Sequence, residues 1–533
     1  MATVKGKIKF RGEGKIMLVQ NFLEMASKES PAKPAVWYKN QWRTYKEIED
    51  QANQVGHFLI ENGLERGERV AMLLENSFLF VSIYFGILKA GGVVVGLNTD
   101  ITSDDLEYLL TNSDAAFLFI GKTKFSLWAK KKTDMRGVVL CDENSGEGNE
   151  DDFRQTEGVQ VPFHIFSAAS GFPVSAPKTR QIDLDLAEIV YTSGSTGVPK
   201  GVMLSHLNLV SNMHSIAEYL YLCSDDRIMV VLPFTYIYGK SLLLTHVLAK
   251  ASMVIDNRFV YPAKIIDTMK QTEVTGFAGV PSTFSILLKR TAIRDHSFPK
   301  LRYVTQAGGH MATGLQKEVV DAFSPAVLYV MYGATEAAPR LSYLEPDMLS
   351  QKLGSIGIPV PNVELRIVDE DGREVSTGME GEIVARGSNI MMGYWKDPEG
   401  TAGVLRKGFY FTGDLGKQDE DGYFYVVGRK KNIIKVKGYR VSAKEIEEKI
   451  LALEDVVETA VIGVEDAVLG EAIKAFVVCR EGSKLSVRDV LSHLKSHVSG
   501  YKLPKYIEFR DELPKNKSGK IMKTVLAAAE SKE

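Results

Sequence analysis

The stretch Tyr191-Thr-Ser-Gly-Ser-Thr-Gly-Val-Pro-Lys-Gly201 decides how the rest of the chain is read. Its eleven residues hold three glycines (Gly194, Gly197, Gly201), four hydroxyls (Thr192, Ser193, Ser195, Thr196) and one cation, Lys200. Glycine lets successive backbone N–H groups turn toward one point, and hydroxyls with a lysine converging there make a cradle for phosphate oxygens. The apolar run Glu188–Tyr191 leads in as a short strand, and Val202–Leu204 leads out as a second. Ser205 stands where a helix beginning near His206 needs its cap. The stretch lacks the Gly-x-x-x-x-Gly-Lys-[Ser/Thr] spacing, and Pro199 directly precedes its lysine, so a P-loop of that kind is excluded. The plainer alternative is a Gly/Ser surface loop.

On both sides of this loop, strand patterns alternate with helix patterns. Thr44-Tyr-Lys-Glu47 has the form of a capping box and opens an amphipathic helix that closes at Gly63. Val70–Leu74 reads as a strand, Phe78–Lys89 as a helix, Val93–Val95 as a strand, Ser103–Leu110 as a helix and Ala115–Ile120 as a strand. Beyond the loop, strand candidates recur at Ile228–Leu232, Met253–Ile255, Gly276–Ala278 and Val327–Met331. Such alternation predicts βαβ units and a largely parallel sheet. Residues 143–182, acidic at first and then rich in Pro, Ser and Ala, read as surface loop.

From about residue 354 the chain becomes rich in strands and turns. Val363–Val368, the turn Asp369–Gly372 and Glu382–Ala385 predict a small barrel-like or antiparallel subdomain. After Gly428 comes a lysine-dense run and then a compact α+β segment. There Ser442-Ala-Lys-Glu445 reads as another capping box for a helix to Leu453, Val457–Val464 and Ala472–Val478 as strands, and Val487–Val498 as a helix. The predicted fold is α/β. A large N-terminal domain, 1–428, carries parallel sheets and a strand-rich part at 354–428; a hinge follows at 429–431, then a small mobile α+β C-terminal domain, 432–533.

Composition narrows the function classes. The 533 residues suffice for two to four domains. A net charge of −2 with acids and bases mixed gives no footing for a nucleic-acid or membrane-surface partner. Cys141, Cys223 and Cys479 lie far apart without a CxxC pair, which speaks against zinc or disulfides and fits a reducing, cytoplasmic setting. The basic N-terminus lacks the apolar core of a signal peptide. The apolar window Phe78–Leu97 is broken by Lys89 and Gly91-Gly92, so it reads as a buried helix and strand and not as a membrane span. His493 and His497 stand four apart on a helix but lack a third ligand nearby, so no metal is expected there.

Four further motifs carry chemistry. Tyr332-Gly-Ala-Thr-Glu336 offers a hydroxyl for phosphate and a carboxylate for Mg²⁺, which favours one or two carboxylates plus phosphate oxygens. Tyr410-Phe-Thr-Gly-Asp414 offers a carboxylate able to accept both ribose hydroxyls, though alone it reads as an Asx turn. Gly428-Arg-Lys-Lys-Asn-Ile-Ile-Lys-Val-Lys-Gly438 puts five cations around an apolar pair, as a hinge meeting an anionic ligand would. Pro514-Lys-Asn-Lys-Ser-Gly-Lys520 precedes an apolar stretch, Ile521–Ala529, that ties the loop down instead of leaving it a loose tail.

In this order and spacing, TSGSTGVPKG, YGATE, YFTGD, GRKKNIIKVKG and PKNKSGK resemble the motifs of the adenylate-forming superfamily of acyl-CoA synthetases, luciferases and nonribosomal-peptide adenylation domains. The resemblance runs from Tyr45 to Lys520 and lies nearest the acid:CoA ligases. It implies that a small-molecule carboxylic acid attacks the α-phosphorus of Mg·ATP, giving acyl-AMP and pyrophosphate, and that coenzyme A then displaces AMP. By the same resemblance Thr192, Ser193, Gly194, Ser195, Thr196 and Lys200 hold the β/γ-phosphates, Thr335 the α-phosphate and Glu336 the metal. Gly308, Gly309 and Tyr332 sandwich adenine, Met331 and Gly333 belong to the same cofactor-binding set, Asp414 and Arg429 hold the ribose, and Lys520 reaches the developing charge. Lys431 is the implied hinge; after rotation Lys435, Lys437 and Gly438 face CoA.

The resemblance also implies an acyl pocket walled by Tyr236, Tyr238, Gly239, Gly279, Val280 and Gly308. Tyr236 takes the place of a gating aromatic or histidine, and His310-Met311 departs from the commoner Ala-Pro after the glycine pair. Lys240 either pairs a distal acidic group of the substrate or is matched within the protein. The aspartate by which amino-acid members of that superfamily hold an ammonium is absent from Phe234–Tyr238, which disfavours amino acids; two aromatics and several glycines point to an aryl or medium-sized acyl group. The alternatives are a ligase loading a carrier protein in trans, a non-catalytic adenylate-binding protein and a luciferase-like oxygenase; a homodimer is compatible with all of them.

Overall fold

A computed structural model of the chain describes residues 17–129, 134–142, 161–192, 199–430, 433–436, 439–466, 470–515 and 521–530. Among these residues the strands form four sheets. One has eight strands: β3 (Arg69–Leu73), β4 (Val93–Gly96), β5 (Ala115–Gly121), β6 (Gly137–Cys141), β7 (Phe163–Ile165), β8 (Leu186–Thr192), β9 (Lys200–Ser205) and β19 (Gly393–Tyr394). Their spatial order is β19-β9-β8-β4-β3-β5-β6-β7, parallel from β8 to β7. A second, nine-stranded sheet comprises β1 (Pro34–Tyr38), β2 (Gln41–Thr44), β10 (Arg227–Val230), β11 (Ser252–Ile255), β12 (Gly276–Gly279), β13 (Tyr303–Gln306), β14 (Val327–Gly333), β15 (Arg340–Leu344) and β16 (Ile358–Pro359). Its centre is parallel.

Short apolar strands such as Val93–Gly96, buried throughout, belong in parallel sheets covered on both faces. The cover comes from helices. Tyr45–Glu61, Phe78–Lys89, His206–Tyr219 and Ile237–Leu248 pack with both sheets into one core that includes Val36 and Ile228 from one sheet and Val70 and Val94 from the other. The Phe78–Lys89 helix is buried over eleven of its twelve residues, as a helix apolar all round must be.

Inside this core Lys240 and Glu188 form an ion pair at 2.6 Å, each side chain 1% exposed. The Tyr84 hydroxyl donates to the same carboxylate at 3.1 Å, and the Tyr84 ring lies 4.0 Å from the ammonium. A buried pair survives only with such added partners. Burial depresses the Lys240 pKa and Glu188 opposes that shift. The pair ties the Ile237–Leu248 helix to the strand that enters the glycine-rich loop. Lys240 is therefore matched within the protein, the second of the two readings of that residue.

The remaining strands form an antiparallel sheet of β17 (Val363–Val368), β18 (Gly381–Gly387), β20 (Leu405–Arg406), β21 (Phe409–Gln418) and β22 (Phe424–Arg429), and a C-terminal sheet of β23 (Ile433–Val436), β24 (Tyr439–Ser442), β25 (Val456–Asp466), β26 (Gly470–Cys479) and β27 (Tyr506–Phe509). The capping boxes at Thr44 and Ser205 form. The one expected at Ser442 does not: its hydroxyl donates to Val427 O at 2.7 Å, so the helix Ala443–Leu451 starts without a side-chain cap. Residues 163–165, expected to be surface loop, instead extend the eight-stranded sheet in parallel with β6. A three-residue strand carries too little pattern to register.

Two buried histidines give the core a pH signature. His206 accepts the Val19 N–H, and His246 bonds the Tyr303 hydroxyl and the Leu242 carbonyl. Burial pushes both pKa values down to about 4. The unfolded chain takes up these protons near pH 6.5 while the folded chain resists until about 4, so their stabilising contribution is complete above 6.5 and is lost as pH falls toward 4. Urea unfolding should show stability falling by roughly 3 kcal/mol per histidine across that window. His246→Gln should flatten the dependence.

Candidate active site

The glycine-rich loop is the connection of a β-hairpin: β8 and β9 pair antiparallel with Thr192 opposite Lys200, and the Thr192 hydroxyl faces the Lys200 carbonyl at 3.4 Å. Ser193, Gly194, Ser195 and Thr196 lie outside the described residues. The short strand β19 adds to β9, with Tyr394 opposite Val202, and brings a distant segment against the hairpin. From that segment Asp397 accepts from Lys200 Nζ at 2.6 Å, and the Tyr394 ring lies 4.8 Å from the same ammonium. Asp397 also caps the helix Pro398–Val404 through Gly400 N at 2.7 Å. The Lys200 hydrogen bond holds the Asp397 carboxyl below its ordinary range.

The Tyr394 hydroxyl continues the line, donating to Glu336 Oε1 at 2.8 Å. Burial and the Glu336 carboxylate raise the phenol's pKa, so it remains a donor. Glu336 and Thr335 sit half-buried in the turn after β14. Gly333 makes that turn possible, since a Cβ there would stand 1.8 Å from the Pro339 carbonyl oxygen. Cation, phenol and carboxylate thus form one row. Tyr394 and Asp397 were not anticipated; the only sequence signal was Asp397-Pro398 as a helix start, which says nothing of Lys200.

A second cluster centres on Asp414, 6% exposed. Its Oδ2 accepts from the Tyr332 hydroxyl at 2.7 Å and its Oδ1 from Arg429 Nε at 2.7 Å. Arg429 stands directly opposite across β21 and β22. The Asp414 charge raises the pKa of Arg429, while burial and then Asp414 raise that of Tyr332. Met331 lies buried beside Tyr332 and accepts from the Tyr219 hydroxyl at 2.9 Å.

The segments expected to wall the acyl group approach each other. Gly308 has φ +82°, and a Cβ on it would lie 3.1 Å from Val280 Cγ1, so the 279–281 and 306–309 segments face each other. Gln306 Nε2 donates to Gly309 O at 2.7 Å. Tyr236 is half-buried and its hydroxyl accepts from Asn98 Nδ2 at 2.9 Å. Tyr238 is buried, bonded to Thr305 Oγ1 at 2.9 Å. Gly239 packs in the first turn of its helix against the Pro233 carbonyl, and Gly279 against Thr283. His310 reaches the C-terminal helix Ala443–Leu451, its Nε2 2.7 Å from Glu448 Oε1. Lys431, Lys437, Gly438 and Lys520, and the side chain of Lys435, lie outside the described residues.

The chain matches the AMP-binding enzyme family over residues 23–395 and the AMP-binding enzyme C-terminal domain over residues 445–520. A long-chain-fatty-acid–CoA ligase of Yersinia pestis is 34% identical, covering 97% of this chain and 94% of its own length. A feruloyl-CoA synthase of Amycolatopsis sp is 32% identical, covering 93% and 95%. Among solved structures, ATP-bound MatB from Rhodopseudomonas palustris superposes with a TM-score of 0.85 at 31% identity, covering 96% of this chain and 98% of that one. The anthranilate CoA ligase AuaEII with anthranoyl-AMP gives 0.86 at 25% identity, covering 96% and 97%.

Lys200 and Asp397 are about one-third exposed, 31% and 34%, so their pairing adds little to stability. Lys200→Met should change the unfolding free energy by less than about 1 kcal/mol. Its ATP affinity, measured calorimetrically, should fall about tenfold or more, as loss of a charge-assisted phosphate contact implies.

Proposed function

The chain belongs to the AMP-binding enzyme family, and on that footing we propose how its own residues carry out the reaction of an AMP-forming acid:CoA ligase. The enzyme is an ATP-dependent acid–thiol ligase. A carboxylate is a poor electrophile, so one of its oxygens attacks the α-phosphorus and the bond to pyrophosphate breaks. The CoA sulfur then attacks the acyl carbon, the thiol gives up its proton, and AMP leaves with its phosphate oxygen. Positioning and charge neutralisation supply most of the catalysis in such phosphoryl displacements.

Lys200 takes the charge of the leaving pyrophosphate, exchanging Asp397 for phosphate oxygens, with Thr192, Ser193, Ser195 and Thr196 around it. Thr335 contacts the α-phosphate. Glu336, aligned by Tyr394, would hold Mg²⁺, and the ion would supply positive charge against the phosphates. Asp414, steered by Arg429, accepts the ribose hydroxyls, and Tyr332 with Gly308-Gly309 flanks adenine. Lys520 approaches the reacting oxygens in the first step. The domains divide at residues 429–431, and rotation about Lys431 exchanges Lys520 for Lys435, Lys437 and Gly438, which then face CoA.

The observation that supports this reading is the row Lys200–Tyr394–Glu336, which brings an ammonium and a carboxylate into one line. We further infer that free CoA is the acceptor and the cytoplasm the setting. No helix of the described residues is long and apolar enough to cross a membrane. Carboxylic acids assayed for pyrophosphate release, with CoA or a holo-carrier protein as acceptor, test the scheme. Thioester should accumulate with CoA; thioester on the carrier alone would replace CoA as the acceptor. Lys520→Ala should slow adenylation about a hundredfold. Lys435→Glu with Lys437→Glu should block thioester formation and spare adenylation, whereas equal loss of both steps would contradict the two-pose scheme.

A further inference from the structure

Behind Tyr238 lies a small cavity of about 10 Å³, lined among others by Tyr238, His246, Tyr303, Thr305, Met331 and Arg340. It adjoins both halves of the proposed site: Met331 precedes the adenine-flanking Tyr332, and Thr305 precedes the Gln306–Gly309 wall. A pocket for a plain alkyl chain would be lined by aliphatic side chains, because a buried polar group costs free energy unless it is bonded. Beside Ile216, Leu220, Leu242 and Met331, this lining holds hydroxyls, an imidazole and a guanidinium.

Arg340 is the anomaly. It is 2% exposed, and its Nε is buried with no hydrogen-bond partner. The guanidinium opposes the rise that burial imposes on the Tyr219 pKa, and the Tyr238 ring lies 5.3 Å away, but both tyrosines are neutral groups. Among the described residues no carboxylate pairs with it. The other deeply buried cations are treated differently: Lys240 meets Glu188 at 2.6 Å, and Lys89 meets Glu24 and Glu49 at 2.8 and 2.9 Å. Lysine could shed its proton in such a place; a guanidinium cannot. The Arg340 backbone is held firmly, its N–H donating to Asn212 at 2.8 Å and its carbonyl accepting from Asn212 and Asn389 at 2.9 Å. A fixed, buried cation without a counter-charge, lining a cavity beside Tyr238 and Thr305, is the complement of an anion.

We propose that Arg340 determines which acid is activated, by binding an anionic group, a second carboxylate, at the far end of the acyl chain. The preferred substrates are diacids, aliphatic or aryl, adenylated at one end and held by the other. At about 10 Å³ the cavity takes no more than a water, so Tyr238 turns aside and releases Thr305 to admit the carboxylate. This inference rests on the ligase reading above and specifies its substrate class.

A length series of α,ω-dicarboxylic acids, with terephthalate for the aryl case, is assayed for pyrophosphate release beside the matching monocarboxylic acids. Wild-type kcat/KM should favour the best diacid over its monoacid by about a hundredfold or more, the penalty for leaving a buried charge unpaired. Arg340→Leu should collapse that ratio, and Arg340→Lys should restore part of it. Preference of the wild type for the monoacids, or an unchanged ratio in Arg340→Leu, would overturn the proposal. The wild-type panel decides even where the leucine variant does not fold. Silence toward every acid in the panel, mono- and dicarboxylic alike, would contradict the ligase reading itself and take this proposal with it.

Discussion

One carboxylate joins the parts of this molecule that the chemistry needs together. Asp414 accepts from Tyr332 of the nine-stranded sheet and from Arg429, the last residue of the antiparallel sheet before the chain enters its C-terminal segment. At 6% exposure it cannot be left without donors, and each donor comes from a different unit. The position of β14, and with it Thr335 and Glu336 in the following turn, is thereby coupled to the start of the proposed hinge. A ribose bound there would find the acceptor already oriented, with no reorganisation left to do.

The same economy governs the other charges. Tyrosines are used twice as neutral donors to carboxylates of the candidate site, Tyr332 on Asp414 and Tyr394 on Glu336, which orients each carboxylate without cancelling its charge. Lys200 is held instead by a true counter-ion, Asp397, in a site open enough for exchange. Deep in the core Lys240 and Lys89 are fully matched. Against that pattern the unmatched Arg340 stands out as a residue whose partner comes from outside the chain.

Local chemistry in the sequence was a good guide to whatever local physics decides. The hairpin around the glycine-rich loop, the caps at Thr44 and Ser205, and the parallel alternation all depend on residues within a few positions of one another. The motifs themselves pointed to Glu336 and Asp414, and family resemblance added Arg429; the structure sets Asp414 on Tyr332 and Arg429, and Glu336 on Tyr394 beside Lys200. Long-range pairings stayed hidden: Lys200 and Asp397 are 197 residues apart, and neither neighbourhood carries a periodic signal that names the other. Ser442 shows the converse, a correct local motif overruled because the Val427 carbonyl competes for the hydroxyl. Strands β7 and β13, three and four residues long, were not read from the sequence.

The central claim is that Asp414 is the ribose acceptor around which the nucleotide site is assembled. Its most direct test is calorimetric binding of AMP against 2′,3′-dideoxy-AMP to the wild type and to Asp414→Asn. The account predicts that the wild type binds AMP about tenfold or more tightly than the dideoxy analogue, and that the variant loses this discrimination. Equal binding of the two nucleotides by the wild type, or undiminished discrimination by Asp414→Asn, would contradict it.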